Sequence, residues 1–186
     1  KDSNMYLDVK ETFRFLATDE WYSTALPPTF TAAGLNTNLK QQTGIQYEFG
    51  VKHNFHDLLT LNATPYWIDI DNEIYVNPTV YPGNTENYPK TRRKGIELGL
   101  KVDLLKLKEA SFLDKVEFFT NYTYMEPKFR GGAYSGKDMP MVPRQQYNSG
   151  LSAGFKNYDM SLISRFIGER YAINDTSNAL SKVKSH

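Results

Sequence analysis

The chain has 186 residues, with 22 Lys and Arg against 21 Asp and Glu and a formal net charge of +1, which excludes the concentrated basic stripe of a nucleic-acid binder. Cysteine is absent, excluding a disulfide framework and thiolate metal sites. No run approaches the roughly 20 apolar residues of a membrane helix and the mean hydropathy is −0.56, yet strands that cross a bilayer need only about 10 alternating residues each.

The opening of the chain at Lys1 carries no signal-like segment, so a piece of a longer precursor is expected. From residue 4 to 15, Met5, Leu7, Val9, Phe13 and Phe15 alternate with Tyr6, Asp8, Lys10, Thr12 and Arg14, Glu11 being the one misfit. A period of two sets apolar and polar groups on opposite faces of a strand. Residues 16 to 43 lose the period and carry Pro27-Pro28 and Gly34, which predicts a long loop. Ile45, Tyr47, Phe49 and Val51 restore the alternation, and Asn54-Phe55-His56-Asp57 predicts a tight turn into a long strand over 58–76. Tyr66-Trp67-Ile68 is apolar on both faces, which predicts a bulge near Pro65. Residues 77 to 91 read as a loop.

The clearest strand runs from Gly95 to Leu104, with Ile96, Leu98, Leu100, Val102 and Leu104 on one face and Glu97, Lys101 and Asp103 on the other. Residues 105 to 112 form a connection with room for a helical turn. Val116 to Tyr124 alternate again, 126–143 read as a Gly- and Pro-bearing loop, and strands around 147–155 and 160–166 are joined by a turn at Lys156-Asn157. Seven strands emerge, with long polar connections collected at one end. A sandwich has no reason for that asymmetry, whereas outer-membrane barrels pair short periplasmic turns with long extracellular loops. The expected fold is all-β: an incomplete, antiparallel up-and-down transmembrane β-barrel spanning 1–186 as one domain. Gly50, Gly99, Gly150 and Gly154 fall on the polar face and predict a lumen filled by something else.

Four segments carry a family resemblance. Phe13-Arg14-Phe15-Leu16-Ala17-Thr18-Asp19-Glu20-Trp21-Tyr22 resembles the Phe-Arg-Ala-Pro…Asp-Glu-Leu-Tyr segment of TonB-dependent outer-membrane receptors. Leu35 to Gln42 followed by Tyr47-Glu48-Phe49-Gly50-Val51-Lys52 is similar to their Leu-x-Pro-x-Leu-Lys-Pro-Glu…Tyr-Glu-x-Gly-x-Lys pattern, and Arg93 to Leu98 to their Gly-Ile-Glu-Leu strand. Met139-Pro140-Met141-Val142-Pro143-Arg144 resembles their Leu-Pro-x-Val-Pro-Arg segment. Departures stand at Leu16, where the family has Pro, and at Gln41-Gln42, where it has Pro-Glu.

The resemblance implies the later part of a barrel of about 22 strands in the bacterial outer membrane, importing a scarce nutrient such as a ferric siderophore without covalent chemistry or a cofactor. Its implied partners are TonB, through a segment N-terminal to this chain, a plug domain of the same protein, outer-membrane lipid and lipopolysaccharide, and a small-molecule ligand. Two alternatives stay open: a non-energised porin, and an all-β carbohydrate-binding module using Trp21 and Trp67 as sugar platforms.

Aromatic residues make up 14% of the chain, and those on the presumed extracellular side combine apolar area with a hydrogen-bonding tip. The ligand-binding candidates are Trp21, Tyr22, Tyr81, Tyr88, Arg130, Tyr134, Arg170 and Tyr171. Lys90, Arg92, Arg93 and Lys94 form a basic cluster able to attract an anion. No catalytic or metal residue is expected. Gly150-Leu151-Ser152-Ala153-Gly154 matches a nucleophile elbow but continues a strand where that chemistry needs a strand, turn and helix. His53-x-x-His56 lacks a third ligand, and Asp69 to Glu73 lacks the turn glycine of a calcium loop.

Overall fold

The computed structural model describes residues 2–23, 34–36, 38–77, 84–107, 112–173 and 175–186. In chain order the elements are β1 (Ser3–Arg14), α1 (Thr18–Trp21), β2 (Tyr22–Ser23), β3 (Gly34–Leu35), β4 (Gln42–Phe55), β5 (Leu59–Asn77), β6 (Asn84–Asp103), a 3-10 turn (Leu104–Leu107), β7 (Lys115–Phe129), β8 (Gln145–Phe155) and β9 (Tyr158–Ile167). Seven of the strands form one antiparallel sheet in the order β1-β4-β5-β6-β7-β8-β9, while β2 and β3 pair with each other. This is the expected up-and-down order.

β1 and β4, β5 and β6, and β7 and β8 are joined at one end of the large sheet, and β4 and β5, β6 and β7, and β8 and β9 at the other. Two predicted loops are shorter than the sequence implied. Residues 84–91 belong to β6, because β5 continues to Asn77 and pairs there with Asn84. Likewise 126–129 belong to β7, held by β6 through Lys94↔Glu126 to Thr91↔Phe129. In both places a cross-strand partner overrides the local Pro and Asn content. The turn after β4 is made by His56 and Asp57, with φ of 45° and 55°.

Register decides the faces. Ile96, Leu98, Leu100 and Val102 of β6 stand opposite Pro65, Ala63, Leu61 and Leu59 of β5 and opposite Tyr124, Tyr122, Thr120 and Phe118 of β7. Directly opposed residues share a face, so one apolar surface runs across the sheet, through Met5, Leu7 and Val9 of β1 to Met160 and Leu162 of β9. Those side chains are exposed, Leu7 by 74% and Leu162 by 73%, so the sheet displays apolar groups outward where a water-bathed domain would bury them. Two of the hydroxyls within this surface, Thr120 and Ser149, bond each other at 2.8 Å, which spares both an unsatisfied polar group on the hydrocarbon side.

The bulge expected near Pro65 is absent. Pairing of β5 with β6 runs from Leu59↔Val102 to Asn77↔Asn84 without a slip, with Pro65 opposite Ile96. What changes around Trp67 is the surrounding medium. Below it the apolar face carries Leu59, Leu61, Ala63 and Pro65. Above it the same face carries Asp69 and Asp71, opposite Arg92 and Lys90. Alternation breaks higher up, at Asn72, whose φ is 55°. Beyond that residue Glu73 turns to the other face and holds Arg93, with Nη1 to Oε2 at 3.1 Å, and the Thr91 hydroxyl.

Four glycines of the polar face are covered by side chains of the sheet itself. Gly50, Gly95, Gly99 and Gly150 stand directly opposite Tyr6, Tyr66, Asn62 and Phe119, and each of these side chains lies where the glycine's Cβ would be. The sheet covers its own glycines, a device known to stabilise strand glycines.

Candidate functional site

The end of the sheet that carries the long connections gathers most of the side-chain packing. Tyr75 and Tyr88, from the two arms of the β5–β6 hairpin above Asn72, stack with ring centroids 3.7 Å apart. Tyr88 meets Phe129 edge-on at 4.7 Å, and Met139 closes the cluster with Val142 against it. Phe129 is 1% exposed. Burial raises the Tyr88 phenol to about 12, the Glu73 and Glu86 charges adding to it. Burial, then its bond to Glu86, raises Tyr75 further still. Both phenols therefore stay neutral in any physiological medium and offer stacking and hydrogen bonds but no negative charge.

Connection 130–144 is ordered by this cluster. Phe129 N donates to Lys137 O and Met139 N to Pro127 O, at 3.0 and 2.9 Å, so 137–139 returns along β7. Asp138 anchors the return: its carboxylate receives Arg144 Nε and Nη2 at 2.7 to 3.0 Å. Asn178, from the segment after β9, accepts from Asp138 N at 2.6 Å and donates to Asp138 O at 2.9 Å. Asp175 in turn caps its own segment, accepting from Ala179 N and Leu180 N. Met141 N donates to Tyr171 O at 2.9 Å. Two successive long segments are thus tied into one unit.

On the other side, residues 36–40 rest on the hairpin. Asn36 donates to Thr85 O at 2.8 Å, while Asn87 accepts from Lys40 N and donates to Lys40 O and Asn72 O. A hollow of about 460 Å³ opens here, lined in part by Asn38, Asn72 and Glu86. Arg14 pairs with Glu20, which also accepts from Ala17 N at 2.8 Å, so two of the three charged residues of the Phe13-to-Tyr22 segment meet at α1.

Of the residues expected to bind a ligand, Tyr88 is buried at 8% and supports the rim from beneath. Tyr134 lies over Phe129 at 6.0 Å and is 41% exposed, with exposed Arg130 beside it in sequence. Arg170 and Tyr171 lie in the neighbouring tied segment. Tyr171 has Lys182 Nζ 5.1 Å from its ring, and Arg170 Nη1 is buried without a hydrogen-bond partner among the described residues. Trp21 ends α1 and Tyr22 pairs with Leu35, both within the connection from β1 to β4. Tyr81 lies outside the described residues. The structure brings Tyr88 and Tyr134 together around Phe129, sets Arg130 at the end of β7 with its N–H on Lys90 O at 2.8 Å, and ties the segment of Arg170 and Tyr171 to connection 130–144 through Met141. Sequence reading missed Tyr75, Phe129 and Asp138. Only the placement of Tyr75 and Tyr88 on the two arms flanking Pro82-Gly83 hinted at the stack.

The basic cluster is not an open anion patch. Lys90, Arg92, Arg93 and Lys94 pair with Asp71, Asp69, Glu73 and Glu126 respectively. Arg92 and Asp69 are bidentate at 2.6 and 2.8 Å, with the guanidinium 4.2 Å from the Trp67 ring. The acidic run from Asp69 to Glu73 is thereby explained as the other half of the same pairs. Ser3 takes His53 at 2.6 Å, and no group of three or more His, Asp or Glu among the described residues could hold a metal ion. Ser152 bonds Ser161 within the sheet at 3.0 Å, with β8 running straight through it.

The family model for the TonB-dependent receptor-like β-barrel matches residues 1–186. The chain belongs to the TonB-dependent receptor β-barrel family. Among solved structures, the ferric citrate transporter FecA in unliganded form aligns with a TM-score of 0.70 at 20% identity, over 100% of this chain and 27% of that one. The copper transporter OprC gives 0.69 at 16% identity, over 99% and 27%. The ferric yersiniabactin uptake receptor FyuA from Yersinia pestis gives 0.66 at 20%, over 100% and 26%. No curated protein sequence matches. At these identities the likeness establishes the barrel fold, and the chain spans roughly a quarter of each receptor. Membership identifies the apolar face as the lipid side, the polar face as the lumen side, and the end with the long connections as extracellular.

Proposed function

We propose that this β-barrel segment is part of an outer-membrane TonB-dependent transporter that captures a scarce nutrient, such as a ferric siderophore, at its extracellular rim and imports it with energy delivered through TonB. The supporting observation is the rim itself: exposed Tyr134 lies over a preordered aromatic base of Tyr75, Tyr88 and Phe129, with exposed Arg130 following Phe129 in the chain. Aromatic area with a cation beside it suits a planar or anionic ligand bound by contact. Arg170, Tyr171, Trp21, Tyr22 and Tyr81 complete the proposed capture surface, with Tyr88 as its support. TonB and a plug domain are the proposed partners within the envelope.

The test is growth of a strain lacking the full-length gene on iron, cobalamin and glycan sources, complemented with wild type, Tyr134→Ala or Arg130→Ala. One source should fail in the deletion strain, and each variant should raise the concentration needed for uptake several-fold. Uptake that persists without TonB favours a porin, and growth unchanged on every source removes the transport reading.

A further inference from the structure

The lipid face of the sheet is not level. Toward its periplasmic end, across β4 to β7, it sinks into a hollow of about 630 Å³ lined in part by Val51, Leu61, Leu98, Leu100 and Tyr122. The hollow falls where Ala63 stands between Val51 and Leu98, and Thr120 opposite Leu100, short side chains among long ones. Hydrocarbon has to fill such a recess, since a gap forfeits the dispersion contacts of its lining. His53 lines the same hollow and interrupts the outward run of Ile45, Tyr47, Phe49, Val51 and Phe55. Its Nδ1 meets the Ser3 hydroxyl at 2.6 Å, and its Nε2 has no hydrogen bond among the described residues. The ring sits three residues before the turn residue His56. At about 3.3 Å per residue and about 45° of tilt, that is about 7 Å in from the turn, the depth of the interfacial zone between water and hydrocarbon. At the turn itself, Lys106 Nζ donates to Asp57 O at 3.1 Å and has no ion pair among the described residues. An unmatched cation, a free donor and an apolar recess thus follow one another from the periplasm inward, in the order of the phosphate, ester and acyl chain of a glycerophospholipid.

We propose that this hollow is a binding site for one glycerophospholipid of the inner leaflet. One acyl chain lies in the recess along Leu61 and Leu98. His53 Nε2 donates to an ester carbonyl, the Ser3 hydroxyl donating to Nδ1 and so fixing the tautomer, and Lys106 takes the phosphate. Lipopolysaccharide does not suit the site, because the polar groups stand at the periplasmic end of the recess. The site is independent of what the receptor imports.

The test uses the full-length receptor, stripped of lipid in detergent and titrated with dipalmitoyl phosphatidylglycerol, the bound lipids being counted by native mass spectrometry. Wild type should retain one phospholipid at concentrations where all others have dissociated. Ala63→Phe, which fills the recess, and His53→Leu, which removes the donor and keeps the volume, should each weaken that retention roughly tenfold. Lys106→Gln should weaken it roughly fivefold. Val9→Phe, an enlargement on the same face outside the hollow, should leave it unchanged. Heat-modifiability certifies that each variant is assembled, and should Ala63→Phe fail to assemble, His53→Leu and Lys106→Gln carry the test. Retention unchanged in His53→Leu and in every assembled groove variant overturns the proposal. So does an equal loss in Val9→Phe, which would leave only unspecific annular lipid, or retention of added lipopolysaccharide in place of phosphatidylglycerol.

Discussion

A methyl group added at Gly95 would meet two obstacles at once, the backbone carbonyl of Tyr124 and the ring of Tyr66. At Gly50 it would meet only the ring of Tyr6, which can swing aside. Gly95→Ala should therefore destabilise the barrel by about 1–3 kcal/mol, the usual cost of overpacking, and Gly50→Ala by clearly less. The temperature at which the full receptor loses its heat-modifiable form measures both. Tyr88 makes a prediction of opposite character, one of pH. Its folded-state value of about 12 lies above the ordinary phenol value of 10.0, so the stabilisation its neutral form provides is complete below about pH 10 and is lost as pH rises toward 12. Proteolysis within 130–144 should accelerate over that window, and Tyr88→Phe, which has no proton to lose, should flatten the dependence. A variant with the same slope as wild type would place the alkaline transition elsewhere.

Each strand of the barrel reads two media, and β6 shows how far this could be read from sequence. Its lower half was legible outright, because Ile96 to Val102 alternate with nothing else to explain them. Leu98→Arg, in the middle of that span, should cost about 2–4 kcal/mol and reduce assembled receptor in outer-membrane fractions. Lys101→Gln should leave assembly unchanged, since Glu117 keeps Lys115 at 2.8 Å. The upper half was illegible for a physical reason. Lys90 to Lys94 look like a cationic cluster along the chain, but the partners of Lys90, Arg92 and Arg93 lie earlier, in Asp69 to Glu73, and that of Lys94 lies later, at Glu126, all brought near only by the register. Asn72 hid likewise, because an isolated left-handed residue leaves no trace in a two-residue period. The bond between the segments after β7 and β9 belongs here too. Asn178→Gly keeps the backbone at φ 56° but removes both bonds to Asp138. At about 1 kcal/mol each, roughly tenfold or more of the protection at Asp138 and Met139 should disappear in hydrogen exchange.

For the molecule as a whole, seven strands leave β1 and β9 as the two ends of an unclosed sheet whose outer face is apolar. Produced alone, residues 1–186 should aggregate through that face and those ends, and a soluble monomer on sizing columns would contradict the lipid-side assignment. The unslipped register of β5 and β6 past Trp67 reaches beyond structure into geography. From Trp67 to Asn77 the chain rises at about 3.3 Å per residue, and with a tilt of about 45° Asn77 stands about 20–25 Å beyond Trp67, clear of the hydrocarbon. Anything that approaches the cell, whether a labelling reagent, an antibody or a virus seeking a foothold, would touch this hairpin before the membrane. A cysteine placed at Asn77 in the full receptor should accordingly react with an impermeant maleimide on intact cells, while one at Thr60 should stay silent.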